Sequence, residues 1–288
     1  MKRHYKKAKL ICGVVMMLVG ATLNPSRQLA SDKVSVDEVI AKHLESIGPA
    51  ETRASIKTRI VSGTLLVSFR APRNANFPGK AIMASEGNKN FLGMSFENSG
   101  YAQEKFAFDG QDVTIGLMNP GDRSNLADFL LTHKNVVKLG LVGGELSSAW
   151  PLLNLSDQKV KLSNAGSKKI NGTPAIEIKF TPKGTSDVEI SLFFDQETFR
   201  HIRTEYTRLI SAGIGANMDA SGSQRSTRYR MTEDFSDFSK EGGLTLPHSY
   251  KISLELDTRA GTFSADWAMK FTQFDFNQTI PAATFRVQ

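Results

Sequence analysis

The chain has 288 residues and a formal net charge of +7. Six of its basic residues and no acid lie in residues 1–30, so the rest of the chain carries a formal charge of only +1. A nearly neutral protein lacks the broad positive surface that binds phosphate backbones, which excludes a general nucleic-acid-binding role. Its only cysteine, Cys12, also lies in this first segment, so the remainder must be stabilised by its core rather than by disulfides.

The first 30 residues have the pattern of a secretory signal peptide. Five basic residues and no acid between residues 2 and 9 precede an apolar run from Leu10 to about Leu23. This run is shorter than the ~20 residues that a membrane-spanning helix needs. We therefore expect export to the periplasm, with association with the outer membrane left open.

Small residues near the end of the apolar run offer two cleavage positions, after Ala21 or after Ala30. We predict a signal peptide over residues 1–30 and a single domain over residues 31–288. No repeat, heptad pattern or low-complexity tract suggests a further boundary.

The domain is predicted to begin with an amphipathic helix. Ser35 and Glu38 have the spacing of a capping box, and apolar residues recur at helical intervals as far as Ile47, before Gly48 and Pro49. A second short helical stretch covers residues 50–56.

The pattern then changes to the period-two alternation of strands. Strand-like runs begin at Ile60 and continue at residues 81–85, 91–97, 104–108 and 113–117. Glycine, asparagine and proline separate these runs, and their spacing predicts an antiparallel meander.

Helical patterns interrupt the strands in the middle of the chain. Apolar residues form a stripe between about residues 125 and 139, and residues 143–153 predict another short helix, which Pro151 is expected to disturb. After Asn171-Gly172, a hairpin-turn signal, the alternation resumes over residues 176–180 and 188–194. Residues 211–226, rich in serine, glycine and alanine, predict a loop between two long strands.

The run from Phe263 to Phe271 has one fully apolar face, which includes Trp267 and Met269. This face is either ordinary core or the wall of a cavity for an apolar ligand. As the candidate ligand-binding set we predict residues of two strand-like segments: Trp267, Met269, Phe271, Ile252 and Leu254.

No catalytic or metal-binding pattern stands out. The histidines His43, His133, His201 and His248 are widely separated and show no metal-ligand spacing, and no nucleophile motif is present. The acid pairs Glu233-Asp234 and Asp109/Asp112 are interpreted as solvated turn residues, with Asp109-Gly110 forming a hairpin turn. We predict no catalytic residue, no metal and no cofactor.

Several segments, in order, resemble the periplasmic lipoprotein-carrier superfamily with the LolA/LolB-like fold. The segments are residues 36–48, residues 60–64, the Phe106-Ala107-Phe108-Asp109-Gly110 turn, residues 170–175, residues 194–198, residues 237–248 and residues 277–285. The resemblance covers most of the mature chain by pattern. No lipid-contacting residue or gating arginine of the carriers aligns to a defined position, so no functional residue is transferred.

The resemblance implies an α+β fold in which a large curved antiparallel sheet, an incomplete barrel, is covered by a few helices. It also implies an apolar cavity between sheet and helices that suits acyl chains. The leading hypothesis is therefore a non-enzymatic cell-envelope carrier that shields a lipid or a lipidated protein.

Two other hypotheses stay open. The same fold can serve as an envelope protein-interaction or sensor module, which a filled core would favour. An envelope hydrolase would require a cleft that holds His133, His201 or His248 beside an acid. The expected partner is a lipid or an acylated protein, with an envelope protein as the alternative, no nucleic acid, and peripheral membrane contact left open.

Overall fold

A computed structural model describes residue 1 and residues 34–157, 160–184, 187–211, 226–258 and 261–287. The predicted signal peptide, apart from residue 1, and residues 212–225 of the predicted loop lie outside the described residues. The residues from 34 onward form one compact unit.

A sheet of twelve strands dominates this unit. The strands are β1 Thr58–Ala71, β2 Ala75–Glu86, β3 Lys89–Phe96, β4 Gln103–Phe108, β5 Val113–Ile115, β6 Val160–Ile170, β7 Thr173–Pro182, β8 Glu189–Asp195, β9 His201–Ile210, β10 Thr227–Glu241, β11 Leu244–Thr258 and β12 Gly261–Phe276. Every neighbouring pair is antiparallel, in the order β5-β4-β3-β2-β1-β12-β11-β10-β9-β8-β7-β6. The predicted fold class, a large curved antiparallel sheet with a few helices, is confirmed.

Short helices accompany the sheet. The α-helices are α1 Val36–Ile47, α2 Ala50–Ser55, α3 Asn125–Thr132 and α4 Lys134–Lys138, and the 3-10 helices are η1 Gly144–Leu146, η2 Pro151–Asp157 and η3 Ala282–Phe285. No helix among the described residues is long and apolar enough to cross a membrane.

The strand order explains where the middle helices must lie. β5 and β6 are the two edge strands, yet they are consecutive in sequence. The chain between them must therefore pass from one edge of the sheet to the other. Helices α3, α4, η1 and η2 lie in this connection, and we call residues 125–157 the cover segment.

The cover segment departs in detail from the sequence prediction. The single helical stripe over residues 125–139 forms two helices, because His133 has a non-helical backbone (φ −111°, ψ 48°). Pro151 begins η2 instead of disturbing a helix, since its fixed φ and missing N–H are tolerated in a first helical turn.

Local signals elsewhere correspond to the structure. The Ser35 hydroxyl accepts the Glu38 N–H at 3.1 Å and caps α1, which ends before Gly48. Asn171 and Gly172 have φ of 49° and 90° and join β6 to β7, as the hairpin signal predicts. The Asp109-Gly110 turn joins β4 to β5.

Candidate functional site

The five residues predicted to contact a ligand lie together on the inner face of β11 and β12. Ile252 is opposite Trp267 in the strand pairing, and Leu254 is opposite Ala265. Trp267, Met269, Phe271, Ile252 and Leu254 are all at most 1 % exposed and belong to the main core. Their role in ligand binding stays a prediction, because in this conformation protein atoms cover them.

The cover segment packs against the inner face of the sheet. Helices α3 and α4 contact β4 and β5 near one edge, and η1 contacts β9 and β11. Where α4 and the following turn meet β2 to β4, the cavity between them has a volume of only about 10 Å³ and is lined by residues that include Met83, Leu92, Phe106, Val137 and Val142. A space of that size holds about one water molecule, so the sheet and its cover are closely packed there.

Polar side chains of the sheet hold η1 in this apolar interior. His201 of β9 lies with Nδ1 3.0 Å from Glu145 Oε2, and both side chains are at most 1 % exposed. The Thr204 hydroxyl is 2.9 Å from His201 Nε2. A neutral imidazole with its proton on Nδ1 donates to the Glu145 carboxylate and accepts from Thr204, so one tautomer satisfies both contacts.

Arg59 of β1 makes a further contact to the same helix. Its guanidinium Nη1 donates to the Glu145 carbonyl oxygen from a fully buried position on β1. Burial lowers the pKa of Arg59 to about 10, so the group remains charged at neutral pH. A buried positive charge thus stands close to the Glu145 side chain.

Glu233 of β10 anchors the turn just before η1. Its carboxylate accepts the Gly143 N–H at 2.7 Å, the Tyr206 hydroxyl at 2.5 Å and the Tyr250 hydroxyl. The side chain is completely buried, and burial raises its pKa in spite of these three hydrogen bonds. The interpretation of Glu233 and Asp234 as solvated turn residues is therefore wrong: both lie within a long strand, and Asp234 pairs with Arg203.

His43 of α1 joins the first helix to the end of the cover segment. Trp150 Nε1 donates to His43 Nε2 at 3.1 Å, and the Phe199 carbonyl lies 3.2 Å from His43 Nδ1. Burial lowers the pKa of His43 from 6.5 to about 4, so the ring is neutral at physiological pH. The neutral Nε2 is the acceptor that the indole N–H requires.

A second buried hydrogen-bond chain starts at one of the predicted ligand contacts. Trp267 Nε1 donates to the Tyr101 hydroxyl at 2.8 Å, and this hydroxyl donates to Glu104 Oε1 at 2.6 Å. Burial raises the pKa of Glu104 to about 7, and the negative charge of Asp128 reinforces the effect. Sequence patterns did not reveal this chain, because Tyr101 and Trp267 are 166 residues apart.

The histidines do not form a cleft. His201 stands beside an acid, as the hydrolase hypothesis requires, but it is completely enclosed. His133 contacts Asp187 and His248 contacts Glu241, both near the surface and on separate elements. Within the described part of the chain, no group of three or more His, Cys, Asp or Glu side chains is suited to hold a metal ion.

The chain matches no protein-family model and no curated protein. Solved structures of similar architecture include a LolA superfamily protein from Nitrosomonas europaea, at 15 % identity and a TM-score of 0.46, covering 88 % of this chain and 98 % of that one. An outer membrane lipoprotein-sorting protein domain from Vibrio parahaemolyticus is 11 % identical with a TM-score of 0.40, covering 85 % and 97 %. A DUF1329 family protein from Desulfovibrio piger is 11 % identical with a TM-score of 0.38, covering 88 % and 97 %.

These likenesses concern the overall architecture alone. At such identities and TM-scores they do not transfer a function, a ligand or a partner to this chain.

Proposed function

We propose that the protein is a non-enzymatic binding protein of the cell envelope that shelters an acyl chain, from a lipid or a lipidated protein, on the inner face of its sheet. One observation carries the proposal. The apolar residues on the inner face of β11 and β12 are buried, and both α1 and η1 contact β11. The cover segment, to which η1 belongs, is held to the sheet at a few polar points. Such a segment can lift without breaking the twelve-stranded sheet.

The driving force is the burial of methylene groups. Each methylene moved from water into an apolar site contributes roughly 0.8 kcal/mol, so ten of them contribute about 8 kcal/mol. No specific polar contact to the ligand is needed, and Trp267, Met269 and Phe271 offer aromatic and adaptable surfaces. The inner face of β11 and β12 is buried in the present conformation, so binding there requires displacement of residues that cover it, among them those of the cover segment.

The buried titratable groups support a structural role for this interior rather than catalysis. The Glu145 carboxylate of η1 contacts the His201 ring of β9, and the Glu233 carboxylate of β10 accepts the Gly143 N–H of the cover segment. All three side chains are at most 1 % exposed. A substrate could not reach them without the movement that the acyl chain also requires. The basic and apolar leader supports export, and we place the protein in the periplasm.

The alternative is an envelope protein-interaction or sensor module on the same fold. The close packing between the cover segment and β2 to β4 favours it, because the space there holds only about one water molecule. A module of this kind would bind its partner without opening the interior.

Tryptophan fluorescence distinguishes the two functions, because the chain has only two tryptophans, Trp150 in the cover segment and Trp267 in β12. In the mature Trp150→Phe variant, Trp267 is the sole reporter of the inner face. A brominated fatty acid should quench its emission saturably, since bromine quenches at contact, whereas aqueous iodide should not. Saturable binding of the fatty acid without quenching of Trp267 would contradict the proposal.

A matched pair of variants tests the need for cover movement. Glu145→Ala removes the contact to His201, and a buried hydrogen bond to a charged group is worth roughly 1.5 to 3 kcal/mol. If opening limits affinity, the variant should bind the fatty acid about tenfold or more tightly. Glu177→Ala is the control, because Glu177 is equally buried but bonds Ser191 and Lys168 away from the cover segment. Equal affinities of the two variants would show that the cover segment does not govern binding.

A further inference from the structure

The outer face of the sheet carries a patch that is both apolar and basic. Only five large apolar side chains are exposed in the described part of the chain, and two of them, Leu66 (44 %) and Ile82 (42 %), lie on the neighbouring strands β1 and β2. Each points away from the core, because the residues on either side of it along the strand, such as Leu65 and Val67, are buried or face inward.

Three lysines surround these two side chains. Thr64 pairs with Lys80 on one side and with Lys270 on the other, so the two lysines stand in one row, two strand spacings or about 10 Å apart. Lys105 stands two strands from Ile82, with Gly93 between them. We call Leu66, Ile82, Lys80, Lys105 and Lys270 the outer patch.

The patch has an uncompensated positive charge. None of its three lysines makes an ion pair with any described residue. The nearby outward acid on β12, Asp266, is engaged by Arg70, and Asp275 accepts a hydrogen bond from Gln273. The unpaired lysines are complementary to a negatively charged surface. The exposed leucine and isoleucine beside them are complementary to an apolar layer beneath that charge.

The middle of the patch is a shallow trough of about 500 Å³ whose lining includes Lys80, Ile82 and Lys105 and contains no acid. Its floor is low at Gly93, which pairs with Ile82 on one side and Lys105 on the other and carries no side chain. A side chain at Gly93 would meet the Phe91 ring at 2.7 Å. The side chains around the trough, among them Lys80, Ile82 and Lys105, can therefore contact a flat surface.

We propose that the outer patch docks the protein on an anionic lipid bilayer surface, with the lysines at the phosphate groups and Leu66 and Ile82 in the headgroup region. Charge complementarity favours this occupant over a second copy of the chain, since two copies meeting through this patch would oppose lysine to lysine. The surface lies on the opposite face of the sheet from the proposed acyl site, and the proposal does not depend on that site.

Vesicle co-sedimentation of the mature chain tests the proposal. We expect binding to phosphatidylglycerol/phosphatidylethanolamine vesicles that weakens as salt rises, and much weaker binding to phosphatidylcholine vesicles. Each lysine near an anionic surface contributes about 1 kcal/mol, or about fivefold in partitioning. Replacing Lys80, Lys105 and Lys270 together by glutamate should therefore weaken binding by about a hundredfold or more.

The control replaces three exposed lysines elsewhere, Lys161, Lys169 and Lys240, by glutamate, with the same change in net charge. Equal losses in the two triple variants would overturn the proposal, because binding would then follow net charge alone. Wild-type protein that ignores anionic vesicles would overturn it too. So would a dimer in light scattering that Ile82→Glu dissociates, which would assign the patch to a second copy.

A Leu66→Ser/Ile82→Ser variant tests the apolar part. It should retain binding at low salt and lose most of it at 0.3 M salt, where screening removes the electrostatic contribution. Unchanged binding at high salt would contradict insertion of these side chains. Because acyl binding at Trp267 is measured separately, failure of either proposal leaves the other standing.

Discussion

Glu104 provides a quantitative test of the buried polar chain that ends at Trp267. Burial, reinforced by Asp128, raises the pKa of Glu104 from 4.5 to about 7 in the folded protein. Below pH 4.5 both the folded and the unfolded states hold the proton, so the group does not affect stability. As the pH rises from 4.5 to 7 the unfolded chain releases its proton first, so the free energy of unfolding falls. Above pH 7 the full penalty is roughly 3 kcal/mol, at 1.36 kcal/mol per pH unit.

Glu104→Gln removes the ionisation but keeps an oxygen that can accept the Tyr101 hydroxyl. We expect the variant to match the wild type near pH 4.5 and to exceed its free energy of unfolding by about 3 kcal/mol at pH 8.5. Urea denaturation followed by tryptophan fluorescence at the two pH values measures this difference. The exposed Glu51→Gln is the control and should show no such pH-dependent gain. Equal destabilisation of Glu104→Gln at both pH values would refute the reasoning, since the carboxylate would then be needed in its charged form.

Further predictions concern the interior histidine and the sheet. Because burial lowers the pKa of His43 from 6.5 to about 4, its contribution to stability is complete above pH 6.5 and declines as the pH falls towards 4, by about 2 kcal/mol at pH 5. Protonation of His43 Nε2 would also place a second donor opposite the Trp150 N–H. Urea denaturation at pH 7.5 and 5 should show that the His43→Gln variant lacks this decrease of about 2 kcal/mol in the free energy of unfolding. Gly63→Ala should lower the free energy of unfolding by about 3 kcal/mol, because its Cβ would lie 1.9 Å from the Lys270 carbonyl oxygen. Thermal melts should show a much smaller effect for Gly100→Ala, where only the Asn98 side chain approaches, at 3.3 Å.

Local patterns in the sequence were sufficient for the elements that depend on local physics. The capping spacing of Ser35 and Glu38, the Asn171-Gly172 turn and the alternation along β12 each express a backbone preference or a single buried face. The superfamily resemblance supplied the arrangement of these elements in one curved sheet, which alternation alone could not supply.

The polar anchors of the cover segment could not be predicted in this way. Glu233 appears in the sequence as one of two adjacent acids, and the partners that bury it, Gly143, Tyr206 and Tyr250, are 17 to 90 residues away. The pairing of β9, β10 and β11 brings the two tyrosines to Glu233, and the packing of the cover segment on the sheet brings Gly143. In the sequence, a buried carboxyl group that accepts several hydrogen bonds cannot be distinguished from a carboxyl group exposed to solvent.

The position of the cover segment also depends on topology. Nothing in residues 125–157 shows that they connect the two edges of a sheet, because that follows from the pairing of β1 with β12. The same limit applies to the five predicted ligand contacts. The alternation identified an apolar strand face, but only the fold determines which residues pack against that face.

The most direct test of the acyl-binding account is native mass spectrometry, with lipid extraction, of mature protein purified gently from the periplasm of a bacterial host. The account predicts one co-purifying lipid or acylated peptide per chain, released when the protein is denatured. Protein that is free of lipid and that also fails to take up added lipids would contradict the account and favour the protein-interaction module.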